Sequence, residues 1–183
     1  MSDFRLIPGI SIPDTSKIKR EYKISRSRIY FTISADDYQG FFSSSIKKLA
    51  EPVFFFVEIP DDNGEYRLYY LDKCTEPVVQ AIIKRYSGIL FGDGVIKYGF
   101  GSHTVDDEIY IQEYQTISIY SKDLSKYEEV LSSLGYVKNK DCVLSWDVID
   151  KDNVGECINV ESDDESYIDM VNNLIDIGMY PAQ

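Results

Sequence analysis

The sequence predicts an α+β domain with a mostly antiparallel sheet of about six to eight strands and three to four helices. Three observations carry this. A dense β-forming run at 53–59 (VFFFVEI), a glycine-containing loop at 61–64 (DDNG) and a second run at 66–71 (YRLYYL) read as a hairpin. Helical stripes with recognisable starts and stops are mixed among further short strands rather than alternating with them regularly. The 183 residues are 44% hydrophobic, enough for one buried core.

The elements follow in order. Residues 1–23 read as an extended arm punctuated by Pro8, Gly9 and Pro13, and residues 24–183 as the single domain. Ile29, Phe31 and Ile33 alternate over 27–33 and predict a strand. Tyr38, Phe41, Phe42, Ile46 and Leu49 predict a helix over about 35–49 behind an N-cap at Ser34. The continuous apolar run at 53–59 predicts a central strand covered on both faces.

Thr75, Glu76 and Pro77 predict a helix start, with Val78, Val79, Ile82, Ile83, Tyr86 and Leu90 as its stripe and Gly92–Gly94 as its stop. Strands are expected over about 95–100, 108–112 and 115–120. A helix is expected over about 123–134, ended by Gly135. Residues 143–148 (VLSWDV) predict a strand, and 157–160 one more. Ser162 and Glu165 form an S-x-x-E capping box ahead of a last helix carrying Tyr167, Ile168, Val171, Leu174 and Ile175, closed by Gly178 and Pro181.

Charge is the strongest functional cue. The net charge is −12, yet residues 1–91 hold 13 Lys/Arg against 12 Asp/Glu, whereas residues 92–183 hold 6 Lys, no Arg and 19 Asp/Glu. This balance excludes a nucleic-acid binder held by phosphate contacts. A solvated acidic surface is the plain reading. The sharper one is a negative face presented to a basic protein. A third is internal: the basic segment at 17–23 lying across the chain's own acidic surface.

No apolar run approaches the length of a membrane span. Residues 1–5 (MSDFR) lack the basic-then-apolar pattern of a leader, and Cys74, Cys142 and Cys157 form no framework. Both predict a cytoplasmic protein. No CxxC or HxxxH spacing exists and His103 is the one histidine, so neither a metal site nor a cofactor is expected.

Residues 99–108 (GFGSHTVDDE) gather two glycines, the histidine and three carboxylates. They match neither an EF-hand nor a nucleotide loop, and a glycine-bulged strand running into a charged turn accounts for them. Fifteen tyrosines suit half-exposed positions and interfaces. Tyrosines interleaved with carboxylates suit a surface that grips Lys and Arg. The partner-binding set expected on these grounds is Asp106, Asp107, Glu108, Tyr110, Glu113, Tyr114, Trp146, Asp147, Asp150 and Asp152. No catalytic residue is assigned.

Residues 98–103 (YGFGSH), 107–110 (DEIY) and 145–147 (SWD) lie in a chain without catalytic motifs. Its profile resembles that of the small, acidic immunity proteins of bacterial toxin systems. That resemblance of profile, over most of the chain, implies a non-enzymatic domain that covers a toxin and protects the producing cell. It carries over no site residue. Two alternatives stand beside it: a small enzyme using His103 with nearby carboxylates, which needs His103 in a cleft, and an acidic nucleic-acid mimic, which needs a regular row of acids on one face.

Overall fold

The computed structural model describes residues 4–162 and 164–182. In chain order its strands are β1 (Ile10–Ser11), β2 (Glu21–Ser25), β3 (Arg28–Thr32), β4 (Val53–Pro60), β5 (Tyr66–Cys74), β6 (Lys97–Ser102), β7 (Asp107–Ile111), β8 (Thr116–Tyr120), β9 (Val137–Lys138), β10 (Glu156–Cys157) and β11 (Tyr180–Pro181). The helices are α1 (Tyr38–Ile46), α2 (Glu76–Arg85), α3 (Ser87–Leu90), α4 (Ser125–Ser133) and α5 (Tyr167–Asp176).

Nine strands form one sheet in the order β11-β5-β4-β6-β7-β8-β3-β2-β9, and β1 pairs with β10 apart from it. Every pair in the large sheet is antiparallel except β2 with β9. The fold is therefore α+β with a mostly antiparallel sheet, as the sequence predicts. The sheet exceeds the expected strand number because β9 and β11 are two-residue edges, too short to leave an alternation.

Strand periodicity divides the sheet into two unlike faces. Ile29 and Phe31 of β3, Val53, Phe55, Val57 and Ile59 of β4, Tyr98 and Phe100 of β6, and the isoleucines of β7 and β8 all enter one core cluster. The buried stripes of all five helices join it: Phe41 and Phe42 of α1, Val79, Ile82 and Ile83 of α2, Ile89 and Leu90 of α3, Tyr127, Val130 and Leu131 of α4, and Met170, Val171 and Leu174 of α5. Phe41 meets Phe31 edge-on at 5.2 Å, and Phe42 lies 5.8 Å from Tyr98 and 5.5 Å from Phe100. Each such side chain contributes roughly 1.5–3 kcal/mol of burial. Phe54 and Phe56 stay outside this cluster, because they point to the other face.

Residues 4–20 are largely extended but belong to the core, burying Ile7, Ile10, Ile12 and Ile18. The Ile7 N–H donates to Gln115 Oε1 at 2.8 Å and the Arg5 N–H to Ser34 Oγ at 3.0 Å. Of the basic segment at 17–23, Arg20 pairs with Asp37 at 2.7 Å and Lys23 with Asp147 at 3.4 Å, so part of the internal charge reading is realised.

Several local expectations are corrected. Residues 143–148 do not form a strand: Ser145–Val148 is a 3-10 turn, because the Asp147 carboxylate accepts the Leu144 N–H at 2.8 Å. The strand expected at 157–160 shrinks to β10. Thr75 takes the N-cap position of α2 without a side-chain bond, and Glu51 Oε1 accepts the Glu76 N–H at 2.7 Å instead.

The capping box of the last helix is Ser166 with Asp169, one turn beyond the expected pair. Ser166 Oγ accepts the Asp169 N–H at 3.2 Å and Asp169 Oδ2 accepts the Ser166 N–H at 2.9 Å. Ser162 and Glu165 instead bond backbone to backbone. Ser166→Ala is expected to cost about 1 kcal/mol in urea unfolding. An unchanged midpoint contradicts the assignment of the cap.

Candidate protein-binding surface

The sheet face that the helices leave uncovered carries a row of aromatic rings. Across the strands the register runs Tyr180, Tyr70, Phe56, Gly99, Tyr110, Ser118, Tyr30, Lys23. The next row runs Phe54, Gly101, Glu108, Tyr120, Arg28. Gly99 and Gly101 sit opposite the two phenylalanines. A Cβ at either position would lie 2.5 Å from Phe56 Cζ or 2.6 Å from Phe54 Cζ. The glycines thus let both rings lie down on the sheet, so the segment is a regular strand rather than a bulge.

The rings form a continuous cluster. Phe56 is 5.4 Å from Tyr110 and 5.7 Å from Tyr70, and Phe54 is 4.5 Å from His103. Phe54 and Phe56 are only 4% exposed, although no helix stripe reaches them. The expected cover on this face is supplied by neighbouring rings of the sheet itself. Tyr30, Tyr70, Tyr110 and Tyr120 are half-buried. The Tyr110 hydroxyl donates to Glu58 at 2.7 Å, and Arg28 lies 5.1 Å over the Tyr120 ring.

One end of this face is closed by the 3-10 turn at Ser145–Val148. Ser145 is fully buried; its N–H donates to Thr32 Oγ1 at 2.9 Å and its hydroxyl to the Tyr114 carbonyl at 2.6 Å. Anchored so, the turn throws Trp146 outward at 39% exposure, and the indole N–H donates to the Glu113 carbonyl at 3.2 Å. The Tyr114 hydroxyl reaches the Gly155 carbonyl at 3.3 Å, which draws residues 149–155 to the same rim. Asp150 folds its own turn, accepting the N–H groups of Asp152 and Asn153 at 2.8 Å. These bonds hold its carboxyl below the usual range.

The ten expected binding residues therefore separate into four places. Glu113, Tyr114, Trp146, Asp147, Asp150 and Asp152 share the rim. Glu113 is also paired with Lys97 at 2.9 Å. Glu108 and Tyr110 stand on the open face. Asp106 lies at the far end of β7, about 20 Å from Glu113 at strand rise, exposed and paired with Lys122.

Asp107 does not belong to a surface. It is 2% exposed, pairs with Lys126 and accepts the Tyr127 hydroxyl at 3.0 Å, so it ties α4 to the sheet. Nothing local in the sequence marks Tyr30, Tyr70, Glu58 or the phenylalanine pair as parts of one surface. The glycine-on-aromatic register was the available signal, and it requires knowing that β6 lies beside β4.

His103 is exposed in the β6–β7 turn, stacked on Phe54, rather than set in a cleft. That removes the geometric basis of the enzyme alternative. The acids form a rim and scattered pairs, not the regular row a nucleic-acid mimic requires. All three cysteines are free thiols. Among the described residues no cluster of three His, Cys, Asp or Glu side chains could hold a metal, and no helix is long and apolar enough to cross a membrane. Comparisons with protein-family models, curated proteins and solved structures returned no match.

Proposed function

We propose that the chain is a non-enzymatic binding protein that neutralises a basic protein partner, acting as an immunity protein against a cognate bacterial toxin. The observation that carries this reading is the rim around Trp146. A large ring stands 39% exposed with its N–H on the Glu113 carbonyl, and Asp147, Asp150 and Asp152 follow it along the chain. It lies within a segment, 141–176, that has eleven acidic residues against Lys151 alone. Tryptophan is the residue type in which interfaces concentrate binding energy, and a ring of one sign of charge steers and selects the opposite sign. Inhibition then needs no turnover: the domain occupies the partner's surface, and association is fast and salt-sensitive.

The test is co-expression with the protein encoded by the neighbouring gene. The expected result is restored growth and a complex that weakens as salt is raised. Trp146→Ala should lower affinity by about thirtyfold, the loss of one interface anchor of about 2 kcal/mol. The fold should be unaffected, because the exposed ring gives up one hydrogen bond to Glu113. A non-toxic neighbour that forms no complex at low salt overturns the reading.

A further inference from the structure

The open sheet face holds carboxylates that no basic side chain pairs with among the described residues. Glu108 stands between Gly101 and Tyr120 and has no hydrogen bond or ion pair among the described residues. Among the described residues Glu58 accepts only the Tyr110 hydroxyl and the Asp72 carboxylate only that of Tyr180. The Tyr70 hydroxyl is pushed above its usual range, first by burial and then by Glu108, Asp72 and Glu58, with no cation opposing them. The nearest basic groups are engaged: Lys97 is paired with Glu113 and lies 4.1 Å over the Tyr66 ring, and Arg28 lies over Tyr120.

One polar atom in the aromatic row is orphaned as well. Ser118 is 2% exposed, stands between Tyr110 and Tyr30 in the aromatic row, and its buried hydroxyl has no partner. Native proteins pair nearly all such atoms, so an orphaned hydroxyl within the aromatic row is consistent with a face that takes donors from outside.

We infer that the open face between Tyr30 and Tyr180 receives an arginine-bearing segment of the basic partner, with guanidinium groups on the rings beside Glu58, Glu108 and Asp72. Guanidinium suits this surface better than ammonium. It stacks flat on aromatic faces and brings five donors to carboxylate and orphan oxygens together. The inference rests on the reading of the chain as a binder of a basic protein, and extends its surface from the Trp146 rim onto the sheet.

The test is a titration of the full chain, with isotope-labelled tyrosine rings and indole, by acetylated hexa-arginine amide. The Tyr30, Tyr70 and Tyr110 ring resonances should shift together and saturate. Glu108→Gln should weaken that binding about tenfold. Asp176→Asn, which removes the same charge from an exposed site on α5, should weaken it less than twofold. Shifts confined to Trp146 and the rim overturn the face assignment but leave the binder reading standing. No binding at low salt overturns both. Self-association of the chain that already shifts the same ring resonances assigns the face to a second copy, and overturns the inference.

Discussion

Raising the pH from 10 to 12 is expected to unfold this protein in one steep step. Tyr38, Tyr98 and Tyr127 are at most 1% exposed, and burial pushes their hydroxyls well above the ordinary value of 10. Tyr136 is pushed the same way, mainly by burial, and donates to Asp37 at 3.0 Å. Tyr22 is held up at about 12 by burial and its bond to Glu128. Burial raises the Cys142 thiol to about 11.

Each of these groups keeps its proton longer in the fold than in the unfolded chain. Above pH 10 the unfolded chain binds fewer protons, so stability falls as pH rises. It is fully present below the unfolded value and is lost as pH climbs through the folded ones. Each unit of separation is worth about 1.4 kcal/mol per group, against a total stability on the order of 5–15 kcal/mol, so a few phenols suffice. Tyrosinate absorbance and far-ultraviolet circular dichroism should change together. Gradual ionisation with the dichroism intact at pH 12 sinks the account.

Gly94→Ala should be the most damaging single methyl in the chain. Gly94 and Gly9 cross backbone to backbone, and a Cβ on Gly94 would lie 1.8 Å from the carbonyl oxygen of Gly9. Three segments are joined there: the Gly9 N–H donates to the Gly92 carbonyl at 2.8 Å, the Gly94 N–H to Ile158 at 3.0 Å, and the Ile158 N–H to Gly9 at 2.8 Å. Asp93, 3% exposed, locks the same junction by accepting the N–H groups of Val95, Ile96 and Val160. Neither backbone can yield without breaking these bonds. The expected cost is about 3 kcal/mol or more, the upper end for overpacking. It should be read as a lowered urea midpoint with an unchanged slope. A loss below about 1 kcal/mol shows that the crossing is loose.

Much of the scaffold was legible because its signals are local. The β4–β5 hairpin shows in its two β-forming runs and the glycine loop, and α4 in its stripe and Gly135, which takes φ +84. What misled were segments whose partners are remote. Residues 143–148 have strand composition, but the Ser145 hydroxyl and amide bond to Thr32, Thr116 and Tyr114, and those contacts select a 3-10 turn. Six of the ten expected binding residues did come together on one rim, since 113–114 and 146–152 meet through the Trp146–Glu113 and Tyr114–Gly155 bonds. Asp106 and Asp107 fell away from them because a strand carries them to the opposite end of the sheet.

The kinds of elements, their approximate limits and the concentration of acid beyond Arg85 are all written in the linear chain. These depend on periodicity, capping chemistry and composition, which are properties of neighbours along the chain. Only the tertiary structure decided which face of the sheet the helices cover and what becomes of each carboxylate. Asp107 and Glu108 are adjacent and chemically alike, yet one is buried against Lys126 and Tyr127 and the other stands unpaired among tyrosines. Successive strand residues point to opposite faces, and the difference between those faces is set by helices distant in sequence.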